Sequence, residues 1–230
     1  MNTILRKSML SVAGLLMTGG AVAGPALAAY AAPAETGPTG ALRVDKANKT
    51  SKTSKDDKTS KDDKGERRAS YEYQAQPNFY YCGPASARIA LSAEGKSVSQ
   101  DELAAKLGTT ENGTDSAVDI TRVLNEYTDG RYKTTEISSD VASKEQIERL
   151  RVDVKAAVDA GEPVVANILG GAVDTEGREH SYPGHYLTVV EYKDDGNTVK
   201  IADPADPAIQ EYWMDAAELA NWIAGRGYSS

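Results

Sequence analysis

The sequence of 230 residues predicts one α+β domain over residues 69–230, with helices in its first part and an antiparallel sheet in its second. Up to Gly161 apolar residues recur at helical spacing, whereas after Pro163 they fall into short segments rich in β-branched residues. The pair Asp195-Gly196 between two of these segments is typical of a hairpin turn. Helices followed by hairpin-connected strands are characteristic of the α+β class.

Four helices are predicted ahead of the sheet, each from residues that favour a helix start and a glycine that ends it. Capping boxes are expected where serine is followed three residues later by glutamate or glutamine. The predicted helices run from Pro84 towards Gly95, from Ser99 with Glu102 to Gly108, from Ser116 to Tyr127 with Gly130 behind it, and from Ser143 with Gln146 to Gly161.

The strands are predicted from short apolar segments bounded by glycine, aspartate and proline. They cover residues 163–168, 186–192 and 198–202, with weaker candidates at 131–137 and 210–214. A terminal helix over residues 216–224 is expected to follow, with Asp215 as its N-cap.

Residues 1–28 have the organisation of a signal peptide. Arg6 and Lys7 form a basic start, residues 9–23 are apolar and small, and Ala26-Leu27-Ala28 is a cleavage site of the A-x-A type. No later segment is apolar enough to cross a bilayer. We therefore expect a secreted, extracellular protein without a membrane span, held at the cell envelope by charge at most.

Residues 29–68 are rich in Lys, Asp, Ser and Thr, and the hexapeptide at 53–58 recurs at 59–64. Such a segment buries too little apolar surface to offset its ordering entropy, which predicts a disordered linker. A plain solvated spacer is favoured for this linker. Weak contact with an anionic cell wall is the functional alternative.

The net charge of residues 69–230 and the small number of metal-binding side chains argue against two classes of function. Residues 69–230 hold 14 basic and 27 acidic side chains, a net charge of −13 (14 − 27), which argues against nucleic acid as a partner. One cysteine and two histidines do not match a zinc motif, so neither a metal nor another cofactor is expected.

Cys82 is the only cysteine, so it can form no internal disulfide. Proline is favoured in the first turn of a helix, and Pro84 therefore places Cys82 at the start of the first helix. The positive end of the helix dipole stabilises a thiolate there. A lone cysteine is also commonly a small buried apolar residue, but the helix position favours a nucleophile.

A cysteine nucleophile needs a base that works near neutral pH, and the chain has two histidines. His180 lies in the polar residues 174–181, for which an exposed, mobile loop is predicted. His185 follows Gly184 at the start of a predicted strand, where a rigid backbone can hold a base within reach of the nucleophile. We therefore choose His185 as the candidate base.

Two further residues complete the candidate site. The strand that returns from the hairpin ends at Asp203, roughly opposite His185, where a carboxylate can orient the imidazole. An ordinary turn residue at a strand end is the alternative for Asp203. The Gln76 amide, with the Cys82 backbone N–H, can form an oxyanion hole, although Asn78 and Gln74 carry the same chemical group.

These segments together resemble the C39-like cysteine peptidases, whose fold is papain-like. The resemblance rests on the Gln76 to Cys82 spacing, Cys82-Gly-Pro-Ala, Gly184-His-Tyr-Leu-Thr-Val-Val and Ile201-Ala-Asp-Pro, and it covers about residues 70–225. It implies N-terminal helices packed on a C-terminal antiparallel sheet, and a peptide or protein substrate. It also implies Cys82 as nucleophile, His185 as general base and acid, Asp203 as orienting residue and Gln76 as oxyanion donor.

The best-known members of that family are fused to export transporters and cut leader peptides after two glycines. This sequence contains no membrane domain and no nucleotide-binding domain, so the resemblance predicts a stand-alone secreted form and does not extend to that specificity.

Two alternatives use the same fold. One is an amidase or endopeptidase that acts on cell-wall peptides, because its active site would need the same residues. The other is a secreted peptide-binding domain without turnover, because aromatic residues cluster around Cys82 in the sequence. Those aromatic residues are Tyr71, Tyr73, Phe79, Tyr80 and Tyr81.

Overall fold

Seven strands of residues 65–230, the part of the chain that the computed structural model describes, form one antiparallel sheet. The strands are β1 (Arg67–Arg68), β2 (Thr134–Ile137), β3 (Val164–Val173), β4 (Glu179–Lys193), β5 (Thr198–Ala202), β6 (Glu211–Asp215) and β7 (Arg226–Ser229). Their order across the sheet is β2-β7-β3-β4-β5-β6, and β1 pairs with β4. The α+β class and the antiparallel sheet are therefore confirmed.

Five α-helices accompany the sheet in the described residues. They are α1 (Cys82–Ala93), α2 (Gln100–Leu107), α3 (Ala117–Tyr127), α4 (Lys144–Ala160) and α5 (Ala216–Ile223). Each of the four predicted N-terminal helices forms, and α4 has the predicted capping box between Ser143 and Gln146. Gly108 and Gly161 end α2 and α4 in the left-handed conformation that glycine adopts without strain.

Helices cover both faces of the sheet. Because successive side chains of a strand point to opposite faces, Val164 and Leu187 join the core beneath α4 and α5, whereas Val165 and Tyr186 join the core beneath α1, α2 and α3. Each fully buried aliphatic side chain contributes about 1.5–3 kcal/mol to this packing. The N-terminal helices do pack on the sheet as predicted, while α4 and α5 close its other face.

Several predicted details differ in the structure. The carboxylate of Glu102 accepts a bond from the Tyr127 hydroxyl at 2.6 Å, so only the Ser99 half of the capping box forms at α2. Asp215 is the N-cap of α5 without a side-chain bond to it. Residues 131–133 precede β2 and are not part of it, and β7 was not predicted.

The predicted signal peptide and the linker as far as residue 64 lie outside the described residues. Arg67 and Arg68, which the sequence analysis assigns to the linker, form β1 opposite Tyr192 and Glu191. The Arg68 guanidinium also bonds to the Glu191 carboxylate at 2.8 Å. The sheet therefore begins before residue 69.

Candidate active site

Cys82 is the first residue of α1 and is 6% exposed. Gly83 allows this helix start to lie against the neighbouring loop, because a Cβ at Gly83 would stand 2.4 Å from the Thr114 hydroxyl oxygen. No side chain fits at that distance without displacing its neighbour. The Cys82-Gly-Pro segment thus combines a close approach at Gly83 with a proline in the first helical turn.

His185 lies within β4, buried and paired with Ile168 of β3. Its Nε2 atom is 2.7 Å from Asp203 Oδ1, and because a carboxylate only accepts, Nε2 donates this hydrogen bond. The other ring nitrogen, Nδ1, is then the one available to the Cys82 thiol, with which His185 interacts. The structure brings Cys82, His185 and Asp203 together.

The surroundings of His185 favour its charged form. Burial alone lowers its pKa, but the hydrogen bonds and charges of Asp203 and Cys82 outweigh burial and raise the pKa of His185 to about 9. An imidazolium at neutral pH carries the proton that a leaving amine needs.

Asp203 follows the last residue of β5, and its carboxylate is almost fully buried. Oδ1 accepts from His185 and from the Ala205 backbone N–H at 3.0 Å. Oδ2 accepts from the hydroxyls of Tyr182 and Tyr212 at 3.1 and 2.9 Å. Burial raises the pKa of Asp203, but the hydrogen bond and charge of His185 and the hydrogen bonds from Ala205 and Tyr212 lower it below its usual range. Asp203 is thus a buried, fully bonded carboxylate.

Gln76 lies in the extended segment ahead of α1. Its backbone N–H donates to the Pro204 carbonyl at 2.9 Å, which ties it to the residue after Asp203. Its side-chain amide donates to the Asn78 carbonyl at 2.7 Å, so one of the two amide N–H groups remains for another acceptor. Gln76 is not among the residues that line the cavity at Cys82.

In the two alternatives to Gln76 the amide oxygens accept bonds from other residues. The Gln74 amide oxygen accepts a bond from Gln100, and both residues line a separate cavity beside Arg88 and Ser99. The Asn78 amide oxygen accepts from the Tyr80 backbone N–H at 3.1 Å.

A cavity of about 310 Å³ opens at Cys82 and His185. Phe79, which is 80% exposed, stands at its rim against Tyr80. A neighbouring cavity of about 330 Å³ shares Asp115, Asn167 and Arg226 with it. The two cavities therefore adjoin along these residues, and we call the pair the groove beside Cys82. Of the aromatic residues predicted near the cleft, only Phe79 and Tyr80 line this cavity.

The prediction for His180 is wrong. It lies in β4, is 8% exposed, and its ring stacks on Tyr212 with centroids 3.9 Å apart. Its Nε2 atom donates to Asp174 at 3.1 Å. Residues 174–178 do form a turn, but Glu179 pairs with Val173 and His180 with Ala172, so the strand begins within the predicted loop and carries His180 into the core.

Sequence reasoning also missed Tyr182 and Tyr212 as residues of the site. Tyr182 lies three positions before His185, and Tyr212 lies in the strand that pairs with β5. Tyrosines are common in strands, so neither position carried a signal before the fold brought both hydroxyls to Asp203.

Over residues 65–230 there is no group of three or more His, Cys, Asp or Glu side chains that could hold a metal ion. None of the described helices combines the length and apolarity of a membrane span.

A thiol at a helix start, an imidazole on a facing strand and a buried carboxylate behind it define the class of papain-like cysteine peptidases. The family model described as the Peptidase_C39 like family matches residues 68–230, and the chain belongs to that family. It is a cysteine peptidase.

Solved structures that are similar in fold have low sequence identity to the chain. A structure described as a C39-like peptidase from Bacillus anthracis has 16% identity over 71% of this chain and 96% of its own, with a TM-score of 0.49. The peptidase domain of Streptococcus ComA, a bifunctional ABC transporter, has 20% identity over 69% and 96%, with a TM-score of 0.45. Xylellain, a cysteine protease from Xylella fastidiosa, has 10% identity over 72% and 85%, with a TM-score of 0.47. No curated protein matches the sequence.

Proposed function

We propose that the chain hydrolyses peptide bonds with Cys82 as nucleophile, His185 as general base and acid, and Asp203 as the residue that orients His185. The observation that carries this proposal is the position of His185. One ring nitrogen bonds to buried Asp203 at 2.7 Å, and the ring interacts with Cys82 at the wall of an open cavity. Acyl transfer requires a base that lies beside the nucleophile and whose second ring nitrogen is bonded to a carboxylate that fixes its orientation.

In the proposed reaction, His185 Nδ1 takes the Cys82 thiol proton, and the sulfur attacks the substrate carbonyl carbon to form a tetrahedral intermediate with a negative oxygen. The His185 imidazolium then gives its Nδ1 proton to the leaving amine, the C–N bond breaks, and a thioester to Cys82 remains. Neutral His185 next takes a proton from water, which attacks the thioester. Collapse of the second intermediate releases the carboxylate product and restores Cys82, with the proton held between the sulfur and His185.

We assign the oxyanion hole to the Gln76 amide and the Cys82 backbone N–H. The free N–H of the Gln76 amide and the tie between its backbone and Pro204 support this role. At a helix start the first backbone N–H groups have no partner within the helix, so that of Cys82 is a second donor. Removal of one such donor typically costs about 10²- to 10³-fold in kcat.

The substrate is proposed to lie in the groove formed by the two cavities beside Cys82. Exposed Phe79 at the rim offers an apolar surface to a substrate side chain, because an exposed aromatic ring gains free energy when it is covered. Asp115 and Arg226 in the shared wall offer charges of both signs.

Incubation with a mixed peptide library and, separately, with purified peptidoglycan tests the proposal. We expect new peptide termini in the library by mass spectrometry, loss of that cleavage after iodoacetamide, and no loss after EDTA. A reductant keeps the Cys82 thiol from oxidising and is removed before the iodoacetamide treatment. Release from peptidoglycan without cleavage of any library peptide would instead identify a cell-wall amidase or endopeptidase.

We further propose that the protein is exported and released, and that residues 29–64 act as a solvated spacer with weak cell-wall contact at most. The signal-peptide organisation of residues 1–28 supports export. N-terminal sequencing of the protein from the culture medium is expected to begin at Ala29. Recovery only from the cytoplasm, with Met1 retained, would contradict export.

A further inference from the structure

Two tyrosine hydroxyls hold the Asp203 oxygen that does not face His185. Tyr182 and Tyr212 both donate to Oδ2, at 3.1 and 2.9 Å, while Oδ1 bonds to His185. Oδ1 also accepts from the Ala205 backbone N–H at 3.0 Å, and bonds to the second oxygen further restrict rotation of the carboxylate about its Cβ–Cγ bond. With Oδ2 held by two donors, Oδ1 stays directed at Nε2 of His185.

Tyr182 restrains His185 as well as Asp203. The Tyr182 ring stacks on the imidazole, with centroids 4.1 Å apart and an angle of 22° between the planes. One side chain therefore limits rotation of the imidazole through its ring and rotation of the carboxylate through its hydroxyl.

Tyr212 is in turn held by the second histidine of the chain. His180 stacks on the Tyr212 ring at 3.9 Å and donates to buried Asp174. The Asp174 carboxylate also accepts the backbone N–H groups of Glu176 and Arg178, both at 2.9 Å. This second His–Asp pair therefore packs against the ring of Tyr212.

We propose that Tyr182 and Tyr212 are positioning residues that act through Asp203 on His185, and that the His180–Asp174 pair holds Tyr212 in place. The inference rests on the proposed function, because it presupposes the roles assigned to His185 and Asp203.

The hydroxyls also contribute to the charge balance of the site. Burial raises the pKa of the Asp203 carboxyl. Its hydrogen bonds, among them those from His185 and Tyr212, lower this pKa by more than burial raises it. Loss of a hydroxyl donor therefore lets the Asp203 carboxyl take up a proton at a higher pH. A protonated Asp203 no longer stabilises the His185 imidazolium, so activity falls as the pH is lowered through the pKa of Asp203.

The test compares the full-length chain with Tyr182→Phe and Tyr212→Phe, which keep the rings and remove only the hydroxyls. We expect kcat to fall about tenfold in each, KM to stay within about twofold, and the acid limb of kcat/KM to move up by about one pH unit. Tyr192→Phe is the matched control, because buried Tyr192 donates to the Asp159 carboxylate at 2.8 Å far from Cys82 in the fold. It should leave kcat and the pH profile unchanged.

A second measurement does not depend on turnover. With ¹⁵N-labelled histidine the chain has only two imidazoles, and His185→Ala identifies the signals of His185. We expect the proton between His185 Nε2 and Asp203 to exchange with water faster in both phenylalanine variants than in the wild type or in Tyr192→Phe.

The inference is overturned if both variants keep the wild-type kcat, acid limb and proton exchange, or if they lose activity only in proportion to a lower Tm. If Tyr212→Phe does not fold, Tyr182→Phe decides the outcome, because Tyr182 is only partly buried. If the wild type cleaves no peptide, the proposed function fails, whereas the proton measurement still decides the role of the tyrosines.

Discussion

Replacement of Cys82 by alanine is expected to lower kcat/KM by at least about 10⁴-fold, and His185→Ala by a similar factor. The chain has no second cysteine to take over the attack, and its only other histidine, His180, bonds to Asp174 instead. Because the two residues act as a unit, the double variant should be no slower than either single variant. The kcat/KM of Cys82→Ala, of His185→Ala and of the double variant is measured with a peptide that the library identifies as a substrate.

Folding and reactivity controls separate loss of chemistry from loss of structure. Cys82→Ser keeps the size of the side chain and should be as inactive as Cys82→Ala, with a stability change of about 1 kcal/mol or less. Alkylation of Cys82 with iodoacetamide should abolish activity in the wild type, because it blocks the attacking sulfur. A fully active Cys82→Ser variant, or full activity after complete alkylation, would contradict the proposed nucleophile.

Asp203→Asn is expected to lower kcat by about 10²- to 10⁴-fold. An asparagine keeps the shape of the side chain but removes the charge that stabilises the imidazolium. Its amide group can also face His185 as a donor, which favours the wrong tautomer of the imidazole. Activity within about threefold of the wild type would show that Asp203 is only a residue at the end of a strand.

The pH dependence of the same variant gives an independent result. With the pKa of His185 at about 9, the wild-type kcat/KM should fall as the pH rises through about 9, because neutral His185 lacks the proton for the leaving amine. Asp203→Asn removes a charge that raises this pKa, so the alkaline limb should move to lower pH.

Stability should follow the same titration. The folded-state pKa of His185 lies above its ordinary value of 6.5, so its contribution to stability is complete below about pH 6.5 and is lost as the pH rises through about 9. Tm should therefore fall across this window more in the wild type than in Asp203→Asn. Asp159→Asn is a suitable control, because that carboxylate also accepts a tyrosine hydroxyl but lies in α4, away from His185.

The helices could be predicted because their signals are local. Ser143 and Gln146 satisfy the backbone at the start of α4, and Gly161 ends it, all within a few residues of the helix itself. The same holds for Cys82 at the start of α1, where Pro84 sets the position of the thiol. Such signals need no knowledge of the rest of the chain.

The strands were less predictable, because pairing partners lie far apart in the sequence. β7 pairs with β2 on one side and β3 on the other, and β3 itself continues through Gly170 and Gly171, beyond its predicted end at residue 168. The burial of His180 depends on Tyr212, which lies in a different strand. A polar sequence alone favours the exposed loop that was wrongly predicted there.

Local signals account for the α+β class, the thiol at a helix start and the choice of His185 and Asp203, because caps, periodicity and the Asp195-Gly196 turn act over short distances. The meeting of Tyr182 and Tyr212 at Asp203 and the burial of His180 arise only when the strands pair. Those contacts come from the register of β4, β5 and β6, which is set by burial of both sheet faces at once.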